Sequence, residues 1–393
     1  MHSRWMMVVS VAVLASFTKL PAARAEAKPI LVGASVSLSG TYAAGGRYSI
    51  EGTQLWVDDV NRRGGLLGRP VQLVYYDDKS DANTGVQLYE KLITADKVDF
   101  IIGPYSSGVT SAVSTVAEKH KMVMLAPEAA DAKIYMRGYR YNFQSQTQAG
   151  LYMMGALVLA KAHGYRTLAM LAEDTAFPKA VSAEVAKVAE QHGLNVVFSE
   201  TYPKGSSDFS ALLTKVKQLA PDVLFANSYL PDAQGILRQA RELDVNAKMF
   251  AVAVGGAEPE FGNLGSTAEY AFGATQWGPT MPWKGNAEFV KAYQQKFNRA
   301  PDYHSAANYA TMQVLEAAVK QVGSIDQDKL AATLHKLKLD TIYGRFEVDA
   351  RGVQIGFTSA LLQWQHGKQM LVWPEDVAQA KAILPAPPWS QRK

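Results

Sequence analysis

No cysteine occurs among the 393 residues, which excludes disulfides, thiolate metal sites and a cysteine nucleophile. Histidine is scarce, at seven, and no pair stands at a metal-ligand spacing such as HxxxH. Neither a metal nor a cofactor is therefore expected. There is no Gly-x-Ser-x-Gly elbow: Gly205-Ser206-Ser207 and Gly138-Tyr139-Arg140 do not match it, which disfavours an exported hydrolase. The glycine-rich stretch from Gly40 to Gly46 lacks the Lys-Ser/Thr pair of a phosphate-binding loop. Asp174 follows a strand without a partnered base nearby, so the chain reads as no enzyme. Asp77, Asp78 and Asp81 form an acidic cluster, but a strand end followed by a helix start favours acids without any metal.

Long apolar runs are also missing, with one exception at the start. Arg4 opens a short basic segment, Trp5 to Phe17 is almost unbroken apolar sequence, and Ala23-Arg24-Ala25 is an A-x-A cleavage site before Glu26. That pattern is a secretion signal, too short for a stable membrane span, and it predicts an exported, soluble chain starting near Glu26. Its removal changes the charge balance. Residues 1–25 hold three of the 40 Lys+Arg and none of the 36 Asp+Glu, leaving 37 basic against 36 acidic residues, a net of +1. Nothing in that balance calls for nucleic acid or an anionic membrane. The 368 residues that remain suffice for about two domains.

What is present is organised around Gly103-Pro104-Tyr105-Ser106-Ser107-Gly108. The apolar run Phe100-Ile101-Ile102 enters it and an amphipathic segment, Val109 to His120, leaves it. Strand, small-residue turn and helix build ligand sites in open α/β sheets, because free backbone N–H groups point outward where the helix starts. Ser106 and Ser107 add hydroxyls that cap a helix or bond an anion.

On either side, short β-branched runs alternate with helical periods. Strands are expected from Ile30-Leu31-Val32-Gly33 to an end in Leu38-Ser39-Gly40, and at Val71–Tyr75, Asp99–Gly103 and Met122–Ala126, with helices between them. A second series has strands at Thr167–Ala172, Val196–Tyr202, Asp222–Ala226 and Met249–Val254. Two such series predict two units, each with a parallel sheet and right-handed crossovers. Tyr141–Gln144 and Ala271–Trp277 read as extended crossings, Thr341–Asp349 as a strand, and 360–373 as a hairpin around His366-Gly367-Lys368. The tail Pro385-Ala386-Pro387-Pro388-Trp389 reads as an extended, mobile end.

Several motifs occur in a set order. They are Gly33-Ala34-Ser35 to Leu38-Ser39-Gly40, Gly64-Gly65-Leu66-Leu67-Gly68-Arg69-Pro70-Val71, and Ile102-Gly103-Pro104 with Ser106-Ser107. Leu125-Ala126-Pro127, Leu237-Arg238-Gln239-Ala240-Arg241, Pro301-Asp302-Tyr303-His304-Ser305-Ala306-Ala307 and Thr341-Ile342-Tyr343-Gly344 follow. Across essentially the whole mature chain this set resembles the type I periplasmic solute-binding proteins of ABC importers, in the branched-chain amino acid (leucine-binding) branch. The resemblance implies an α/β fold of two doubly wound parallel-sheet lobes joined by three crossing segments, with ligand held between them. Residues 28–144 and 276–350 would form the N-terminal lobe, 145–275 and 351–376 the C-terminal lobe, and 377–393 a Pro-rich tail.

The resemblance also implies site residues. In the family a serine two residues into the turn after Gly-x-x grips the ligand carboxylate, and Ser107 holds that position beside Tyr105 and Ser106. A second grip comes from the next loop, here Pro127-Glu128-Ala129-Ala130-Asp131, where the family often places Ser or Thr near Ala130 to bond the ligand amino group. Phe177 and Tyr229 match cleft aromatics of the opposite lobe. The acid that neutralises the ligand ammonium falls, by alignment, on Gly256 or Ala257, with Glu258 a residue or two away. A buried ammonium left unpaired costs several kcal/mol, so these departures suit a carboxylate without an amino group. Tyr42, Tyr105, Phe177, Tyr229, Trp277 and His304 are expected to line a pocket for a flat or apolar body. The expected partners are a small ligand and the permease subunits of an ABC importer, with the chain itself a monomer. A periplasmic sensor of the same fold is the alternative.

Overall fold

In the computed structural model, residues 28–357 and 359–392 are described. The expected secretion signal lies outside the described residues. The chain builds two sheets in succession. Strand β1 (Ile30–Val36) is buried at every position but Leu31, the continuous apolar run of a strand covered on both faces. It lies between β2 (Val71–Asp77) and β3 (Phe100–Ile102), and β4 (Met124–Ala126) and β5 (Asn142–Gln144) continue the order β2-β1-β3-β4-β5, all parallel. Helices α1 (Ala43–Arg62), α2 (Ala82–Thr94) and α3 (Ser107–Lys119) make the crossovers.

The second sheet has the order β14-β13-β10-β9-β8-β6-β7. Its parallel part is β6 (Thr167–Glu173), β7 (Asn195–Tyr202), β8 (Val223–Asn227), β9 (Met249–Val252) and β10 (Phe272–Thr275). Helices α4 (Met154–Ala162), α5 (Ala176–Val188), α6 (Ser210–Leu219) and α7 (Leu230–Glu242) alternate with these strands. The hairpin β13 (Ala360–Gln365) and β14 (Lys368–Trp373) adds two antiparallel strands at one edge, so this sheet is mixed rather than wholly parallel. The crossing at 141–144 becomes the edge strand β5, and the one at 271–277 becomes β10.

Between β10 and the hairpin the chain returns to the first sheet with α8 (Asn286–Phe297), α9 (Tyr303–Val322) and α10 (Gln327–Leu334). The α9 helix is buried along most of its length against α1, where Trp56 Nε1 donates to Glu316 (3.0 Å) and Arg63 forks onto the same carboxylate (2.6 and 2.9 Å). The stretch 341–349 is not one strand. A turn at Ile342-Tyr343 folds it into the two-stranded β11 (Leu339–Thr341) and β12 (Gly344–Phe346), because Thr341 Oγ1 bonds the Gly344 carbonyl at 2.7 Å.

The Pro-rich tail is packed, contrary to the mobile end expected from its composition. Trp389 is 5% exposed, its indole N–H donates to the Val245 carbonyl at 2.7 Å, and Arg392 lies 3.6 Å over its ring. The Ala386 amide bonds the Lys248 carbonyl at 2.8 Å. One large aromatic with a satisfied N–H outweighs the weak order of prolines around it. Trp389→Phe keeps the ring but strands the Val245 carbonyl, and should cost about 1–2 kcal/mol in urea unfolding. An unchanged midpoint would show the tail to be an ornament on the sheet.

Candidate functional site

Both sheets present the carboxyl ends of their parallel strands to one region, the place where open α/β sheets bind ligands. The turn after β3 carries Tyr105 and Ser106. Ser106 has φ +78° and ψ 141°, a conformation that strains any residue but glycine by about 1–3 kcal/mol. Its hydroxyl accepts from the Val109 amide at 3.3 Å and also engages Tyr42. A serine kept where glycine fits best is kept for its hydroxyl.

The loop after β4 carries Glu128, which accepts from Ser49 Oγ at 2.7 Å and from His304 Nδ1. His304 stands in the first turn of α9, fixed by a capping box between Asp302 and Ser305. Glycines on α1 admit that turn. A Cβ at Gly52 would lie 2.1 Å from the Ser305 carbonyl oxygen, and one at Gly45 would lie 2.9 Å from His304 Nε2. From the second sheet, Glu258 follows β9 and places Oε1 3.8 Å from His304 Nε2. The imidazole thus lies between two carboxyl groups, and all three side chains are under 5% exposed.

Burial alone would drive an imidazole neutral, but Asp302 and Glu128 outweigh it and hold His304 well above its usual range. Burial pushes the Glu258 carboxyl up, with His304 opposing. Asp302 is pushed up to about 7, again by burial first. The result is one buried cation held among acids, of which Glu258 and Asp302 are raised by their burial.

Aromatic rings close the remaining space. Tyr105, Tyr152, Phe177, Tyr229 and Tyr303, with Gln146, Glu128 and His304, line a small cavity of about 20 Å³. Tyr105 meets His304 edge-on at 4.9 Å, and Tyr303 lies 3.9 Å from the same ring. Across the gap between the sheets, Tyr42 meets Tyr229 at 4.6 Å and Tyr105 meets Tyr229 at 5.9 Å. Phe177 packs on Tyr229 at 5.8 Å and on Tyr152 at 5.0 Å.

Of the residues expected from the sequence, Tyr105, Phe177, Tyr229 and His304 line this cavity, Glu258 touches it through His304, and Ser106 adjoins it through Tyr42. The other four lie beside it. Ser107 Oγ accepts the Asp131 amide at 3.1 Å. The carbonyls of Ala129 and Ala130 both accept from Gln144 Nε2 at 3.1 Å, and Ala129 packs with Ile134 and Tyr135. Trp277 turns its indole N–H to Asn286 (2.7 Å) and lines an adjoining cavity that it shares with Tyr303. Glu128, Gln146, Tyr152, Val254 and Tyr303 line the cavity without being among the residues expected from the sequence. Glu128 carried a signal, an acid one residue past the Pro127 that ends a strand, whereas Tyr152 lies in what reads as ordinary helix.

A model of the periplasmic binding protein family matches residues 29–369. The chain belongs to that family. A Leu/Ile/Val-binding protein of Rhizobium johnstonii is 27% identical over 376 residues, covering 92% of this chain and 97% of that one. Among solved structures, the branched-chain amino acid transporter substrate-binding protein LivJ from Streptococcus pneumoniae, in complex with isoleucine, superposes with a TM-score of 0.80 at 24% identity, covering 91% of this chain and all of that one. An ABC transporter solute-binding protein from R. palustris, in complex with benzoate, gives 0.79 at 21% identity, over 91% and 98% of the two chains. The branched-chain amino acid branch of the family and its α/β fold are thus the ones the motifs pointed to. Among the described residues no helix is long and apolar enough to cross a membrane.

Proposed function

We propose that this periplasmic binding protein is the exported solute-binding component of an ABC importer, capturing a small carboxylate without an amino group and delivering it to a permease. Residues 28–144 with 276–350, and 145–275 with 351–376, are read as the two lobes that close on the ligand by hinge motion. The role is capture, not turnover. Relatives of this fold hold isoleucine in one case and benzoate in another, so the fold leaves the ligand class open and the site must decide it.

The observation that carries the choice is His304. An α-ammonium needs a buried carboxylate free to receive it. Here Glu128 is bonded to the imidazole and Glu258 faces it at 3.8 Å, so the protein supplies its own cation where a ligand ammonium would seek its counter-charge. Ala130 offers no hydroxyl in compensation. The aromatic walls suit a flat or apolar body, and the start of α3 with Ser106 and Ser107 suits a carboxylate.

The test is a melting screen on protein unfolded and refolded to strip carried-over ligand, with L-amino acids set against aromatic and aliphatic acids. Stabilisation by amine-free acids alone is the expected result. Stabilisation by leucine-like amino acids would show that Glu258 receives the ammonium after all, and would overturn the ligand class. With the selected acid, Ser107→Ala should weaken binding by about 1.5–3 kcal/mol, the loss of a charge-assisted hydrogen bond. Unchanged affinity in calorimetry would place the anion elsewhere.

A further inference from the structure

The acidic cluster Asp77, Asp78 and Asp81 is not part of the ligand cavity, yet it shapes a turn with an unusual backbone. Lys79 and Ser80 are consecutive non-glycine residues at φ +57° and +60°, a left-handed pair that is costly unless the surroundings enforce it. They do. The Asp77 carboxylate accepts the amides of Lys79 (2.8 Å), Leu38 (3.0 Å) and Ser39 (3.2 Å). Asp78, fully buried, accepts the Ser80 amide (3.0 Å) and the hydroxyls of Ser35 (2.8 Å) and Ser37 (2.6 Å). Ser80 Oγ donates to the Ser39 carbonyl (2.8 Å) and accepts the Tyr42 amide (3.1 Å). The Ser80 carbonyl is bonded from outside the turn.

That carbonyl receives Lys204 from just past β7 of the second sheet, Nζ to O 2.8 Å, and the same ammonium lies 4.3 Å over the Tyr42 ring. Acids face Lys204 from both sides: Asp81 at the start of α2, and Asp232 on α7. Resting on the hinge-closure reading above, we infer that Lys204 is a closure bolt, a positioning residue that holds the second lobe against the Asp77–Asp81 turn and so keeps the aromatic cavity shut. It touches no ligand. Its action is through Tyr42, which it presses toward Tyr229.

The absence of native cysteine makes the test direct. Spin labels at Gln87→Cys on α2 and Ala211→Cys on α6, both exposed, report the separation of the lobes by pulsed dipolar spectroscopy in the ligand-free chain. The expected result is a short-distance population in the parent that falls at least twofold in Lys204→Met and is retained in Lys204→Arg, with the melting temperature of all three alike. Equal populations in the parent and Lys204→Met would overturn the bolt and leave hinge closure standing. A parent found wholly open would also overturn it, since the contact would then fail to hold the closed form unaided. One narrow distance in every chain, with and without benzoate or leucine, would overturn the bolt together with hinge closure.

Discussion

Replacing His304 with leucine should destabilise the protein by about 3–5 kcal/mol and abolish ligand capture, the largest effect expected of any single substitution here. The reason is not the loss of a hydrogen bond. Removing the imidazolium leaves Glu128 and Glu258 buried beside each other with no cation between them, and a stranded buried charge costs more than the pair contributed. The double variant His304→Leu, Glu128→Gln should therefore recover part of the loss, because it removes one of the stranded charges. A double variant no more stable than the single one would mean that lost packing, not charge, sets the cost.

The same site predicts a pH signature whose sign follows from the raised values. A group held above its unfolded value contributes fully below the unfolded value and loses that contribution as pH climbs through the folded one. For His304 the loss begins near pH 6.5, and for Glu258, also raised, it begins near pH 4.5. The wild-type chain should thus lose stability on the alkaline side of neutrality. In His304→Leu that alkaline decline should vanish, and the chain should regain stability on the acid side as the raised Glu258 carboxyl takes up its proton. Chemical denaturation at a series of pH values reads both limbs.

This cluster also marks how far the sequence can be read. The two βα series announce the two sheets because inner parallel strands such as β1, β8 and β9, covered on both faces, are apolar nearly throughout, and that leaves a visible run in the chain. The turn from Gly103 to Gly108 announces itself by its small residues, although nothing in composition reveals that Ser106 adopts φ +78°. His304 and Glu258 stand near motifs and are reachable by resemblance. Glu128 becomes significant only when α9 returns from 176 residues away to set His304 against it. Long-range pairings of single residues have no period and no local signature. The tail fails for the same reason in reverse: proline content predicts a loose end, and a single tryptophan finding Val245 overrides it.

Tyr229→Ala is expected to weaken capture of the acid selected by the melting screen by about 3 kcal/mol, roughly 150-fold in the dissociation constant. Tyr229 is the ring that both sides of the cleft share. It packs on Phe177 from its own sheet and on Tyr42 and Tyr105 from the other, so its area is fully desolvated only when the sheets are together. Aromatic contacts made solely in the closed form act on the closed form alone. Their removal should therefore appear as faster dissociation, with ligand-free stability falling much less than affinity. Tyr229→Phe, which keeps the ring and loses only the hydroxyl bonded to Tyr42, should stay within about tenfold of the wild type. Calorimetry and stopped-flow dissociation separate the cases. If Tyr229→Ala lowers stability as much as affinity, the ring is core and the ligand closes some other gap. If affinity alone falls, and falls through the off-rate, the stack of Tyr42, Tyr105 and Tyr229 is the contact by which the two sheets together form one binding site.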